Sequence, residues 1–505
     1  MKQFIRNALL CSLLLFLPVF GVQADENQSP FVGSAPLEKL KASVKKFTLA
    51  NGLRVIIYPR KVAPVFSAYI GIRVGGVNEV IGNTGISHLL EHMAFKGTPY
   101  VGTKDYAREK PLLEELDRYL EGKRVSDLSE EDRARVGEIY EELSTIWVSD
   151  EFTSRYRRRG GAGLNATTAK EMTSFFVSFP RSSFEFWCLM ESERLLRPIM
   201  RQFYKERDVV MEERRMRYED DPSGKLYEMI LGQVYLSHSY RNPVIGYASD
   251  IMKLSRLGTK EFHDQYYVPS NIVVSLVGDI DPDRDMDLIE RYFGRLTPGV
   301  APAQPTAVEP PQEGERRLVL EHPSEPQLYV AYRKAQFPDP DDAKISVMLE
   351  ILGGSNVAPL YKSLVEQKKL ATSIDYFEAP GVAYPNLVFF ASAPRKPHTN
   401  EDLLRAFDEV LAKFMKHPPT EKDVSVAKRR MLMQYLTKLD SNMGLAEDFT
   451  SSELIHGDWK VLFEWYDQVM KVTPEDVLAV ARRYLVPRGR TVATIETVAS
   501  GEGVR

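Results

Sequence analysis

The sequence predicts an α+β chain made of two similar halves, each containing strands and helices. The halves repeat near their ends: Tyr266–Asn271 precedes the apolar, β-branched run Ile272–Val277, and the similar Tyr484–Pro487 precedes Thr491–Ile495. A stretch with five prolines, residues 297–315, lies between the halves. It is typical of a linker, because proline removes backbone donors and favours extended conformations.

The linker divides the chain into two predicted domains, residues 45–296 and residues 316–499. In the first domain, Val65–Val74 and Thr173–Phe179 have the alternating, β-branched composition of strands. Glu206–Arg215 is charged and contains neither Pro nor Gly, which predicts a helix.

The N-terminal segment, residues 1–24, has the layout of a secretory signal peptide. Lys2 and Arg6 precede a mostly apolar run, residues 8–22, which is short for a membrane span. The remaining chain is then exported and soluble, and its one cysteine, Cys188, is expected to be a small buried residue. An exported chain without a disulfide suits a bacterial periplasm, and a net charge of −4 gives no indication of nucleic-acid binding.

The most informative motif is His88-x-x-Glu91-His92. Each residue of an α-helix turns about 100°, so the three side chains share one face. Two imidazoles four residues apart can bind one zinc ion, while the carboxylate between them reaches the water that zinc activates. The chain has only 8 His, so a chance match is rare. The motif predicts a metal-dependent hydrolase; the alternative is two ordinary histidines on an amphipathic helix.

Catalytic zinc needs a third protein ligand. The best candidates are Glu206 and Glu213, whose spacing of seven returns them to the same face of the predicted helix. One could bind the metal while the other supports it from outside, and position alone leaves both assignments open. For Glu212 and Glu219, exposure on a solvated helix face is the simpler interpretation.

The second half contains counterparts of both helices but not of the ligands. At the positions of the two histidines and of Glu213 it has Val347, Ile351 and Lys428. The joint replacement indicates that the three residues belong to one site. With respect to metal, the second half is predicted to be a scaffold.

Aligning the halves gives the first half about 44 extra residues between its two ligand helices. They fall within residues 105–159, where leucines recur at helical spacing over residues 112–120 and Ser129 is placed to cap a second helix. We predict a charged helical hairpin that is either a solvated decoration or a gate or partner contact. The basic run Arg155–Arg159 that closes it is interpreted as a solvated turn, with attraction of an acidic peptide as the alternative.

These motifs closely resemble the M16 family of zinc peptidases, the group of pitrilysin, insulin-degrading enzyme and mitochondrial processing peptidase. The resemblance covers about residues 45–498 and is most specific at Gly85–Thr98, Gly163–Thr168 and Glu206–Glu213. It implies two homologous domains of the M16 (LuxS/metallohydrolase-like) type, each an antiparallel-rich sheet packed with helices on one face.

The resemblance also implies the roles of the site residues. The family spacing between ligands selects Glu213 as the third zinc ligand and makes Glu206 the supporting carboxylate. One zinc ion per chain would then activate a water molecule, with Glu91 as the general base of a zinc endopeptidase. A substrate backbone would add to an edge strand formed by three residues, Asn165, Ala166 and Thr167.

In this family a closed clamshell chamber needs four domains, so a chain of two domains must pair with another chain. Relatives that are active alone carry an Arg and a Tyr at the positions of Val365 and Thr372, where they stabilise the oxyanion and hold the substrate. Their absence predicts a heterodimer, in which a second M16-like subunit supplies both residues. The alternative to a peptidase is a non-enzymatic subunit of the same fold, which binds peptides or supports assembly.

Overall fold

The computed structural model describes residues 35–499, so the expected signal peptide lies outside the described residues. The strands are β1 (Lys45–Thr48), β2 (Arg54–Pro59), β3 (Val65–Ile72), β4 (Ala162–Thr168), β5 (Thr173–Pro180), β6 (Ile272–Gly278), β7 (Arg316–His322), β8 (Gln327–Lys334), β9 (Ala371–Ala379), β10 (Asn386–Pro394) and β11 (Arg490–Thr497). Within the described range, every helix is too short or too polar to cross a membrane.

The helices occur in groups between and after these strands. Up to residue 293 they are α1 (Ala35–Ser43), α2 (Ile86–Met93), α3 (Tyr106–Leu120), α4 (Glu130–Ile146), α5 (Glu151–Arg158), α6 (Phe184–Leu196), α7 (Phe203–Arg214), α8 (Pro222–Val234), α9 (Ala248–Ile251), α10 (Arg256–Tyr266) and α11 (Pro282–Phe293). Beyond the linker they are α12 (Asp341–Gly353), α13 (Pro359–Tyr361), α14 (Asn400–Lys416), α15 (Glu421–Asp440), α16 (Asn442–His456), α17 (Val461–Lys471) and α18 (Pro474–Tyr484).

The two halves form two sheets with the same topology. The first sheet has the order β1-β2-β6-β3-β5-β4, in which only β2 and β6 are parallel neighbours. The second has the order β7-β11-β8-β10-β9, in which only β7 and β11 are parallel. Apart from the additional β1, strand order and direction match one to one. The predicted α+β fold with antiparallel-rich sheets is confirmed.

Each sheet is covered on both faces, which differs from the expectation of helices on one face. The outer helix comes from the other half of the chain in both cases. In the first sheet, Thr450 of α16 donates a hydrogen bond to Ser275 Oγ on β6 at 2.7 Å. In the second, Leu226 and Ile230 of α8 join a buried apolar cluster with strand residues such as Phe389. Continuously buried strands such as β3 are the consequence, because neither of their faces meets solvent.

Gly71 on β3 allows α16 to approach the sheet. A Cβ atom at this position would lie 2.5 Å from Thr450 Cγ2 and 2.6 Å from Leu454 Cδ1. We expect Gly71→Ala to lower the unfolding midpoint, since overpacking of this kind costs about 1–3 kcal/mol. Gly137→Ala in α4 is the matched control, because a Cβ there has nothing within 4 Å and should stabilise the helix. Thermal unfolding measures both; equal shifts would contradict the close approach.

The extra segment, residues 105–159, forms helices α3, α4 and α5. Its leucines between residues 112 and 120 are buried in the same apolar core as the first sheet, so these helices are more than a solvated decoration. Ser129 caps α4 by accepting a hydrogen bond from the Asp132 amide at 3.1 Å.

The interpretation of Arg155–Arg159 as a solvated turn is wrong. Most of this run lies in α5, where Phe152 and Tyr156 are both buried and their rings stack at 4.8 Å. An aromatic pair four residues apart on one helix face anchors the segment in the core, while Arg157, Arg158 and Arg159 are exposed.

The linker, residues 297–315, contains neither helix nor strand. It is nevertheless fastened to the first half, because the Glu309 carboxylate accepts hydrogen bonds from the amides of Leu236, Ser237 and His238 at 2.7–3.1 Å. Arg333 of β8 lies 3.2 Å from the same carboxylate. Glu309 therefore links the two halves through its charge.

Candidate metal centre

The helix that carries the histidine motif, α2, begins at a tightly packed turn. Its cap residue Gly85 has φ +89°, and a Cβ there would lie 2.4 Å from the carbonyl oxygen of Ile245. The Glu79 carboxylate accepts hydrogen bonds from the amides of Gly85 and Ser87 at 2.8 and 2.9 Å. A buried carboxylate at this end satisfies amides that the helix leaves free and complements its dipole. The start of α2, and with it the direction of the motif, is thereby fixed.

Three predicted ligands converge at one point. Glu213 Oε2 lies 3.8 Å from His88 Nε2 and 3.6 Å from His92 Nε2. The three ligand atoms all lie within 4.8 Å of one another, and they form the one such group found in the described part of the chain. Glu213 comes from α7, more than a hundred residues away in sequence, so the folding of the first half creates this arrangement.

The donor set fits a zinc ion. A tetrahedral ion with bonds of about 2.1 Å holds its ligand atoms roughly 3.4 Å apart, close to the distances between Glu213 and the histidines. Burial lowers the pKa of His88 to about 3, which keeps its imidazole neutral, the form that binds metal. Two imidazoles and one carboxylate are three protein ligands, which leave a fourth position for water.

Glu206 lies on the outer side of His92. Its Oε1 is 2.9 Å from His92 Nδ1, the ring nitrogen that does not face Glu213. Its Oε2 is 2.5 Å from Lys96 Nζ. Burial alone would raise the pKa of Glu206, but the hydrogen bonds from His92 and Lys96 outweigh it and lower this pKa to about 2. An ionised carboxylate on Nδ1 orients the ring and presents Nε2 as the ligand atom.

Glu91 is positioned between the ligands and strand β4. It is 9% exposed, and its Oε2 accepts a hydrogen bond from Thr168 Oγ1 at 2.5 Å. Burial raises the pKa of Glu91, although this hydrogen bond opposes the shift. A carboxylate with a raised pKa beside a water position is suited to accept and return a proton.

Sequence reasoning missed three contacts of the site. Thr168 holds Glu91, Lys96 pairs with Glu206, and Arg217 Nη2 lies 2.7 Å from Glu213 Oε1. One of them carried a signal: Arg217 follows Glu213 by four residues, in the helical turn that continues α7 over residues 215–219, and such spacing places side chains together. Lys96 lies beyond the end of α2, so its distance of four residues from His92 carried no such signal. By contrast, Glu212 and Glu219 are exposed, in agreement with their simpler interpretation.

The substrate-binding candidates lie on β4, the last strand of the first sheet. Among the described strands β4 pairs only with β5, so its outer edge is free. Asn165 and Thr167 are exposed and Ala166 is half-buried. The hydrogen bond between Thr168 and Glu91 brings the end of this strand to the metal centre.

A cavity of about 460 Å³ adjoins the metal centre. Glu91, His92 and Glu206 line one side, and Asn165 contributes from β4. Residues 147–153 of the extra segment also line the cavity. These residues thus border the space that a bound molecule would enter.

Comparisons with known proteins agree with this fold. The family model for insulinase (peptidase family M16) matches residues 54–112, and the model for the peptidase M16 inactive domain matches residues 253–431. The first match includes the histidine motif, whereas Glu206 and Glu213 lie between the two matched segments.

Curated relatives include zinc protease PqqE of Helicobacter pylori, 26% identical over 445 residues, with 86% of this chain and 89% of the relative covered. Another is the uncharacterized zinc protease YmxG of Bacillus subtilis, which is 23% identical and covers 87% of this chain and 95% of its own.

Solved structures show the same architecture. A protease from Helicobacter pylori superposes with a TM-score of 0.75 at 24% identity, covering 90% of this chain and 99% of its own. The first half of the periplasmic protease PqqL from Escherichia coli gives a TM-score of 0.68 at 16% identity, covering 90% and 92%. With both family matches and this shared fold, the chain is similar to M16 peptidases and has their two-domain α+β architecture.

Proposed function

We propose that this chain is a zinc-dependent endopeptidase that hydrolyses peptides or unfolded polypeptides. The observation that carries the proposal is the convergence of His88, His92 and Glu213 within 4.8 Å, with Glu91 beside them. The relatives named as zinc proteases support the same activity class. Zinc bound at this site, one ion per chain, would polarise a peptide carbonyl and make water a better nucleophile at neutral pH.

Each residue of the site then has its own proposed role. His88, His92 and Glu213 hold the ion, and Glu206 orients the His92 ring through Nδ1. Glu91 accepts the proton of the attacking water at its carboxylate and returns it to the leaving amine. Thr168 keeps that carboxylate turned toward the site.

The substrate is proposed to bind as an added strand along β4. Free backbone groups at the edge of a sheet pair with an extended peptide and read few side chains, so the sequence preference would be broad. Asn165, Ala166 and Thr167 would supply the backbone contacts, and the adjoining cavity of about 460 Å³ would take a neighbouring side chain. A chain held there has its backbone close to Glu91, which is what hydrolysis requires.

We further propose that activity requires a partner subunit and takes place in a chamber between the two chains, in the periplasm. Val365 is half-buried against the core of the second half and Thr372 is exposed at the start of β9, so neither position offers a donor like Arg or Tyr to an oxyanion. A second M16-like subunit would supply them.

The partner proposal predicts little hydrolysis by the isolated chain. Purification from the native host, followed by cleavage of a fluorogenic unfolded polypeptide with and without the co-purifying protein, measures the effect. We expect activity that rises at least about 100-fold with the partner, because one oxyanion donor is worth about 10²–10³ in rate. Strong hydrolysis by the isolated, zinc-loaded chain would contradict the heterodimer. A chain that lacks both zinc and activity in the complex would instead support a non-enzymatic subunit.

A further inference from the structure

The second half contains a cavity at the place where the first half has its metal centre. Helix α12 follows β8 as α2 follows β3, and Glu350 on α12 occupies the position of Glu91. The cavity measures about 390 Å³ and is lined by residues of α12, β9 and helices α15 to α17. The two ligand histidines are replaced here, but the helix carboxylate beside an edge strand is retained.

Glu350 is a buried carboxylate without a matching donor. It is 4% exposed, and its Oε1 has no hydrogen-bond partner among the described residues. Arg430 Nη1 lies 3.7 Å from this oxygen, too far for a hydrogen bond, and donates to Ser355 Oγ at 2.8 Å instead. The other oxygen has only a long contact of 3.4 Å with the Tyr376 hydroxyl. With one guanidinium at 3.7 Å and no close hydrogen bond, this buried carboxylate can accept a further cationic ligand.

The other charged groups of the cavity do not supply that cation. Asp342 lies 2.7 Å from Lys334 Nζ, and Lys334 also pairs with Glu378. One buried ammonium thus pairs with two carboxylates, and burial lowers the pKa of His456, which favours its neutral form. The three carboxylates Asp342, Glu350 and Glu378 therefore outnumber the two cationic side chains that reach them, Lys334 and Arg430.

Aromatic side chains complete the wall. Phe337, Tyr376 and Trp465 all line the cavity, and the indole nitrogen of Trp465 is oriented by a hydrogen bond of 2.7 Å to Asp342. Aromatic faces attract organic cations through their ring quadrupoles. A carboxylate and three aromatic rings that line one cavity match an alkyl chain that ends in a charged group. A metal ion is a poorer match, since the one group of His, Cys, Asp and Glu side chains that converges closely enough to hold an ion, within the described residues, is His88, His92 and Glu213.

We propose that this cavity binds an organic cation, an ammonium or guanidinium group of the kind carried by Lys and Arg side chains. Glu350 forms the ion pair, and the aromatic rings contact the alkyl stem. The site does not depend on the peptidase activity, because it uses none of the proposed zinc ligands. In a peptidase it would retain basic peptides at a distance from the point of cleavage.

Direct binding tests the proposal on the full mature chain. N-acetyl-arginine amide and N-acetyl-lysine amide are titrated while protein NMR shifts or tryptophan fluorescence are recorded, with N-acetyl-norleucine amide as the neutral control. We expect saturable binding of the two cations and none of the norleucine compound. Binding of putrescine is measured in a second titration. If putrescine binds more tightly than the amino-acid amides, the site is assigned to free amines. If it binds more weakly, the site is assigned to peptide side chains.

Variants separate the cavity from other acidic sites. Glu350→Gln should weaken binding of both amides at least tenfold, whereas Glu464→Gln, an exposed carboxylate on α17 outside the cavity, should leave it unchanged. Gly354→Ala is the second variant, because its Cβ would lie 2.3 Å from Glu350 Oε2 and displace the carboxylate without removing its charge. Unchanged thermal unfolding checks that each variant folds.

Equal binding of the norleucine compound, binding unaffected by Glu350→Gln, or no saturable binding of either cation would overturn the inference. Zinc content measured on the same samples keeps the two proposals apart. A chain without zinc that still binds the cations would refute the peptidase alone. A zinc-loaded, active chain that does not bind the two cations would refute the cation site alone.

Discussion

Replacing Glu91 by Gln is expected to abolish peptide hydrolysis while the chain keeps its zinc. The amide is almost the same size as the carboxylate and can still contact Thr168, but it cannot accept a proton from water. Loss of a general base costs about 10²–10⁴-fold in rate. Turnover of an unfolded polypeptide by the complex, together with elemental analysis of zinc, measures both parts of the expectation.

The control for this experiment is Glu212→Gln on α7. Glu212 is exposed and pairs with Arg215, so the change removes the same charge without touching the site. It should leave both zinc content and rate within about twofold of the parent, as for most surface substitutions. Full hydrolysis by the zinc-loaded Glu91→Gln variant would exclude Glu91 as the base.

The local part of the site could be predicted from the sequence because it obeys helix periodicity. His88, Glu91 and His92 are three and four residues apart, so any regular helix brings them together. The structure adds that Glu79 and the turn at Gly85 fix where this helix begins. Gly85 begins the segment that most resembles the family, but Glu79 lies outside it, and nothing in the sequence assigns Glu79 this contact.

The third ligand could not be predicted from helix periodicity, because its position depends on how two distant helices pack. Glu206 and Glu213 return to the same helix face, and periodicity treats them alike. The packing of α7 against α2 separates them: one carboxylate faces both Nε2 atoms, and the other faces Nδ1 of His92. Only the resemblance to a family, through its ligand spacing, could distinguish them before the structure.

The fold was predictable at the level of elements and less so at the level of packing. Alternating, β-branched segments marked β3 and β5, and the repeat marked β6 and β11, because strand patterns are local. The sequence does not predict that α16 and α8 each pack on the sheet of the other half. An amphipathic helix specifies that one face is buried, but it does not specify which sheet will cover that face.

Removal of the third ligand is the second large effect that we expect. In Glu213→Gln the carboxylate charge is lost, and an amide is a poor zinc ligand beside two imidazoles. The dialysed variant should contain almost no zinc and show no hydrolysis. Arg217 loses its ion-pair partner in the same variant, so Arg217→Ala is made in parallel and should retain its zinc.

Glu206→Gln tests whether Glu206 orients the His92 ligand, as proposed, or binds the zinc ion itself. An amide can still accept the Nδ1 hydrogen bond of His92, but it no longer balances the imidazole and Lys96 with a negative charge. Loss of such a supporting carboxylate weakens metal binding about 10–100-fold. Titration with a competing chelator should therefore rank zinc affinity as parent, then Glu206→Gln, then Glu213→Gln. A reversed order of the two variants would exchange their roles, because the carboxylate that bonds directly to zinc must contribute more to its retention than one that acts through a ring nitrogen.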